Sequence, residues 1–412
     1  MGTSIVGGRA EAPDGWAEDP HSFDLLKIDE RFVTDPFPTY ARLQDESPIH
    51  RNSDGTYFLT RYDDVAWILA ERRVTSDKSL ELTKVFGQSP LLEHYLHLVV
   101  FRDPPIHTRI RKVLASAFTP RAIELWAPIV SDVVDESLER ALANGAMDLI
   151  GDFAYWLPIN VISRMLGVPA ADADLFRGWS QSIVKTLDPR ITQEIKDEGN
   201  RVVSEFKEYM GDLAERKRRE PGPDLMSLLV GAEAEGDGLT ELDLAHNAAF
   251  LLNAGHETTA NLIGNAADAL FRFPDQLNRL RQEPELIETA VEEFLRFESP
   301  NQLGGRRLTE DMELRGVKIP AATYVWITNG GANRDPRQFK DPHALNIARK
   351  PNRHVAFGHG VHYCLGAALG RLEGGIALKR LVTDFPALRP NGAPKRRMIA
   401  RYRGFSAYPI AV

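Results

Sequence analysis

Residues 357–371 read Phe-Gly-His-Gly-Val-His-Tyr-Cys-Leu-Gly-Ala-Ala-Leu-Gly-Arg, and Cys364 among them is the chain's one cysteine. Gly358, Gly360 and Gly366 surround it. Glycine at this density permits tight turns and a close approach of the backbone to something flat or bulky. The small residues that follow predict a helix whose N-terminal amides and positive dipole end face the sulfur. Those conditions favour a metal-binding thiolate. Two other readings stand beside it. One is a buried structural cysteine acting as a small hydrophobe. The other is a zinc site of His359, His362 and Cys364, although that spacing matches no common zinc pattern. A lone cysteine forms no intramolecular disulfide, which excludes a disulfide-stapled secreted protein.

Outward from this loop, the longest helical stretch starts near Thr240, where Thr240 and Asp243 have capping-box spacing, and ends at Pro274. That is ~33 residues, or ~50 Å at 1.5 Å per residue. Its interior carries few charges, which predicts a helix buried on most sides. Apolar stripes at helical spacing recur at 121–143, 156–168, 192–218 and 276–298, and "YDDVAWILAERRV" from Tyr62 has the same pattern. "YFLTRY" (57–62) reads as a strand after the turn signal Ser53-Asp54-Gly55. Between 305 and 350, "MELRGVKIP", "TYVWITNGGANRDP" and "FKDPHALNI" read as short strands and turns. The fold class is mainly α with a small β-rich subregion. Residues 1–20 read as a flexible lead-in, and 21–412 as a single domain.

Composition narrows the function. Hydrophobic residues make up 43% and charged residues 26%, as in globular proteins, and the net charge is −8. A mild acidic excess argues against a general nucleic-acid binder. No stretch approaches the ~20 apolar residues of a membrane span, and no signal peptide is evident, so a cytoplasmic protein is expected.

Phe357-Gly358-x-Gly360-x-His362-x-Cys364-x-Gly366 resembles the haem-binding loop of the cytochrome P-450 family, the haem-thiolate monooxygenases. The resemblance implies that Cys364 is the axial ligand of the iron of haem b (iron protoporphyrin IX). The haem would lie between the long central helix and the Cys-loop helix. Thiolate ligation pushes electron density onto iron and favours O–O cleavage.

Three further segments carry the resemblance. Ala254-Gly255-His256-Glu257-Thr258-Thr259, mid-way along the long helix, matches the family's oxygen-activating segment. A Thr258 hydroxyl bonded one turn back would loosen the helix, and Ala254 and Gly255 would leave room for dioxygen. Glu257 and Thr258 would form the proton relay to bound oxygen. Glu293 and Arg296 match the family's E-x-x-R pair, a buried clamp whose third member is Arg349; the family usually has Phe-Asp where Leu345-Asn346 stand. The clamp serves fold integrity. The two haem propionates need cationic partners. His107 and Arg111 in "IHTRIRKVL", Arg306 in "GGRRLTED", and His354 in "RHVAFGHG" match the residues expected to bind them.

The implied activity is a monooxygenase that uses O2 and electrons from a separate ferredoxin and ferredoxin reductase. Arg72, Arg73, Arg109 and Lys112 could form a docking face for the acidic ferredoxin. The protein is expected to act as a monomer. Candidate pocket residues are Phe250, Asn253, Ala254 and Leu303, with His94, His97 and Gln302 as further polar handles, which suits a small hydrophobic substrate. Two competing readings are a peroxide-driven or NO-reducing relative and a non-catalytic haem sensor. The Glu257–Thr258 pair speaks against the first. A relay with no task, and no output module, speak against the second.

Overall fold

A computed structural model describes residues 22–142, 145–188, 191–234 and 239–412. The lead-in read over 1–20 lies outside the described residues. The expected long helix runs Glu241–Arg272. Its start is fixed by the capping box: the Thr240 side chain accepts from the Asp243 backbone, and the Asp243 side chain accepts from that of Thr240. Most of its side chains are buried on every face, including His246, Asn247, His256 and Glu257. It therefore acts as the axis on which the other helices pack.

Around it lie the helices Pro120–Leu142, Trp156–Leu166, Ala173–Lys185, Gln193–Arg219 and Ala367–Asp384. Together with the central helix they bury the largest apolar cluster, which includes Phe153, Phe176, Phe206, Leu252, Phe294 and Leu378. The 276–298 stripe is two helices, Pro274–Gln282 and Ile287–Phe297, because Pro284 interrupts the backbone ladder between them.

The β-rich part is a five-stranded sheet in the order Ile49–Arg51, Tyr57–Leu59, Tyr324–Thr328, Leu303–Leu308, Val74–Thr75. The Ser53-Asp54-Gly55 turn joins the first two strands, with Gly55 at φ 87. The second strand stops at Leu59, and Tyr62 opens the helix Tyr62–Ala70. Met312–Leu314 pairs with Val317–Ile319 as a small hairpin. "FKDPHALNI" contains no strand; it is an irregular meander held by side-chain hydrogen bonds. Leu303–Leu308 lies against both Tyr324–Thr328 and Val74–Thr75, and it delivers one wall of the site.

Candidate active site

The cysteine loop is shaped by its glycines. Gly358 and Gly360 sit at φ 73 and 71, where other residues are strained. A Cβ on Gly360 would come within 2.6 Å of the Leu69 carbonyl oxygen, so no larger residue fits there. The loop closes through Gly358 N–H to Val355 O and Cys364 N–H to Phe357 O, both 2.9 Å. This presents Cys364, three residues before the helix Ala367–Asp384, to a large cavity. The side chain is exposed to that cavity, yet protein surrounds it. Burial pushes its thiol pKa up, outweighing the Gly366 N–H and the Arg111 and Arg371 guanidinium groups that pull it down. The helix end therefore does not ionise the sulfur by itself. A bound metal cation would supply the missing stabilisation. Among the described residues no group of three or more His, Cys, Asp or Glu is placed to hold a metal, which removes the zinc reading.

The cavity has a volume of about 340 Å³. One wall is the central helix, which contributes Phe250, Asn253, Ala254, Gly255, Glu257, Thr258 and Thr259. Thr258 Oγ1 donates to Ala254 O at 2.9 Å, the back-bond its position suggests. Asn253 Oδ1 accepts from Ser180 at 2.7 Å. Leu303 does not line the cavity. It packs with Phe23, Leu25 and Phe58 in a separate cluster, while the next two residues, Gly304 and Gly305, form the wall. His94 lines it; His97 and Gln302 do not. His97 is held by Asp243 at 2.7 Å, and the Gln302 amide donates to Ser299 O at 2.7 Å.

Glu257 is 1% exposed, and its Oε1 is ion-paired with Arg397 and accepts from Tyr155 at 3.3 Å. It is not hydrogen-bonded to Thr258, and its Oε2 is buried without a partner among the described residues. Arg397 lies 140 positions further along the chain, so nothing local in the sequence announces it. A second acid also escaped the sequence reading. Glu373, on the cysteine helix, is 1% exposed, lines the cavity and pairs with the Thr259 hydroxyl. Burial raises its pKa to about 8.

At another edge of the cavity, His107 and His362 lie with ring centres 4.2 Å apart, and Arg111 and Arg306 line the same cavity. Burial, then Arg306, His107 and Arg111, lower the His362 pKa to about 3, and burial with Arg111 lowers that of His107. Both rings are thus neutral donors beside two guanidinium groups. Both ring nitrogens of His107 are buried with no partner among the described residues. Orphaned donors and unopposed cations are what a pair of carboxylates requires, so the donor set fits haem propionates. Arg307 points elsewhere, donating to Asp77 O at 2.6 Å, which separates it from Arg306. His354 is not at this edge. Its Nε2 is 3.2 Å from Glu292, which Arg371 also holds, and it does not line the cavity. The histidine in place is His362, two residues before the cysteine.

Glu293, Arg296 and Arg349 form one cluster. Glu293 and Arg296 are fully buried and 2.8 Å apart, and Arg349 reaches Glu293 at 3.0 Å. Asn346, standing at the family's aspartate position, donates its backbone N–H to Glu293 at 2.9 Å. Of the proposed docking cations, Arg109 and Lys112 are exposed, whereas Arg73 is ion-paired with Glu71 and Glu310.

Comparison with known proteins gives a consistent result. A family model described as Cytochrome P450 matches residues 56–406. Cytochrome P450 107B1 of Saccharopolyspora erythraea is 39% identical over 406 residues, covering 94% of this chain and 97% of its own. The cytochrome P450 monooxygenase PikC of Streptomyces venezuelae is 38% identical, covering 96% of this chain and 95% of its own. Among solved structures, CalO2 is similar with a TM-score of 0.90 at 34% identity, over 95% of this chain and 98% of that one.

Proposed function

The chain belongs to the cytochrome P450 family and is a haem-binding monooxygenase; from that premise we propose that it activates O2 over a haem ligated by Cys364 and oxidises a small hydrophobic molecule. One observation carries the reading: a single cavity has the chain's only thiol on one wall and the back-bonded Thr258 on another. When bound, haem supplies an iron that binds and reduces O2, with thiolate ligation favouring O–O cleavage.

The protein's own residues position and protonate. Cys364 Sγ anchors the ring, and His107, Arg111, Arg306 and His362 take its carboxylates through charge-assisted hydrogen bonds. Thr258 spends its hydroxyl hydrogen on Ala254 O, which leaves its lone pairs able to accept in the cavity. Glu257 is the carboxyl group of the relay, and its Oε1 has to leave Arg397 and take up a proton from solvent before it can pass one toward Thr258. Glu373, protonated near neutral pH and paired with Thr259, is a second proton store at the central helix. The apolar walls exclude water from these steps.

Electrons come from a separate ferredoxin and its reductase, the ferredoxin docking on the exposed Arg109 and Lys112 beside the cysteine side. No helix among the described residues is long and apolar enough to cross a membrane. The test is Thr258→Ala with the first compound that shifts the iron spin state in a panel of terpenoids, steroids, fatty acids and aromatic acids. Binding is expected to persist while product per electron pair falls roughly tenfold or more and peroxide rises, as for a lost proton-transfer group. Full coupling in the variant overturns the relay.

A further inference from the structure

The cations of the cavity fall into two groups. Arg306, His107 and Arg111 surround His362, the edge assigned above to the propionates. Lys78 and Arg401 make the second group, and both line the cavity. Lys78 Nζ lies 5.2 Å from the ring centres of both Phe101 and Tyr324. Arg401 is brought in by the C-terminal segment, whose backbone is pinned by Gln302 N–H to Arg401 O at 2.8 Å and by the Asn301–Tyr402 bridge. Its charge acts on Lys78, Tyr324, Tyr402 and Tyr95, none of which belongs to the cysteine loop, and also on Arg306 of the first group.

These two charges lack a counter-ion. Neither forms an ion pair among the described residues, and the nearby acids are occupied. Glu81 faces Arg307 at 3.6 Å, and Asp103 accepts from Thr75 and from the Ser76 N–H. Arg401 Nε and the hydroxyl of Tyr324, a residue 8% exposed, are buried without a hydrogen-bond partner. Burial beside Arg401 and Arg306 also drives the Lys78 pKa well down. Two cationic groups set side by side against a protein cavity are costly to charge unless an anion completes them. Leu98, Val99, Ile183, Leu187 and Phe250 supply apolar lining in the same cavity.

We infer that Lys78 and Arg401 form a subsite for the carboxylate of the substrate, so that the molecule oxidised is an apolar acid gripped by its charged end. This rests on the monooxygenase reading above and adds the substrate class to it.

The test uses ferric holoenzyme, with dissociation constants from spectral titration and calorimetry for matched pairs: dodecanoate and dodecanol, abietate and abietinol, cholanate and cholanol, naphthoate and naphthalenemethanol. At least one acid is expected to bind roughly 10- to 100-fold more tightly than its alcohol, the range of a hydrogen-bonded charge. In Lys78→Met/Arg401→Gln that preference is expected to shrink to about threefold or less, with haem content and reduction potential unchanged. The inference is overturned if no acid outbinds its alcohol in the unmodified protein, a comparison that needs no variant to fold. It is equally overturned if the variant keeps the preference, or if it loses haem or shifts in potential, since the two cations then serve the propionates. These titrations need neither oxygen nor electrons, so their failure leaves the Thr258 result standing on its own.

Discussion

Replacing Glu373 with glutamine should stabilise the protein, and by an amount that depends on pH. The carboxyl is 1% exposed, and burial lifts its pKa from the ordinary 4.5 to about 8 despite the Thr259 hydrogen bond. At pH 7 the folded chain holds this proton and the unfolded chain has released it. Taking up a proton two and a half pH units above the unfolded pKa, at 1.36 kcal/mol per pH unit, costs the folded state ~3 kcal/mol. Glutamine has nearly the same volume and can still bond Thr259, but it has no proton to lose. Because the folded state binds more protons than the unfolded one between 4.5 and 8, the natural protein loses stability as pH rises through that window and levels off above it. Urea unfolding of both holoproteins, followed by circular dichroism, should show a gap below ~1 kcal/mol at pH 5 that opens toward ~3 kcal/mol at pH 7. Infrared spectra should show a protonated carboxyl band at pH 7 that the variant lacks. A gap that stays constant with pH, or no such band, would refute the buried neutral acid.

Two other substitutions probe the scaffold around the haem. Glu293→Gln leaves the fully buried Arg296 and its neighbour Arg349 without their counter-charge, so a loss of ~3–5 kcal/mol is expected, read as a lower urea midpoint; a loss under ~1 kcal/mol would mean that the cluster is not a clamp. His362→Ala should speed haem transfer to apomyoglobin by about tenfold, the worth of one charge-assisted hydrogen bond, while His354→Ala should change it less than twofold. The reverse order would return the propionate role to His354.

How much of this was legible in the sequence depended on the reach of each signal. The central helix could be read end to end because its capping box and closing proline are local, and both stand where expected. The cysteine loop was legible for the same reason: glycine positions dictated by positive φ and close backbone contact leave a dense local signature. Errors arose where one residue of register decides. On a strand successive side chains face opposite ways, so Leu303 enters a core cluster while Arg306 lines the cavity and Arg307 leaves it. His354 and His362 are both near the cysteine in sequence, and only the folded loop shows that His362 packs against His107. The partner of Glu257 and the acid Glu373 were hidden because Arg397 and Thr259 come from distant segments. No local pattern predicts such pairs. Lys78 and Arg401 belong to the same class, meeting across more than 300 positions of chain.

A bond from Cys364 Sγ to haem iron underlies every role assigned here. The most direct measurement is the ferrous–CO difference spectrum of the purified holoprotein beside Cys364→Ser. The natural protein should show the thiolate-shifted Soret band and the serine variant should lose it. An unshifted, imidazole-type band in the natural protein, or a shifted band that survives in Cys364→Ser, would contradict the assignment.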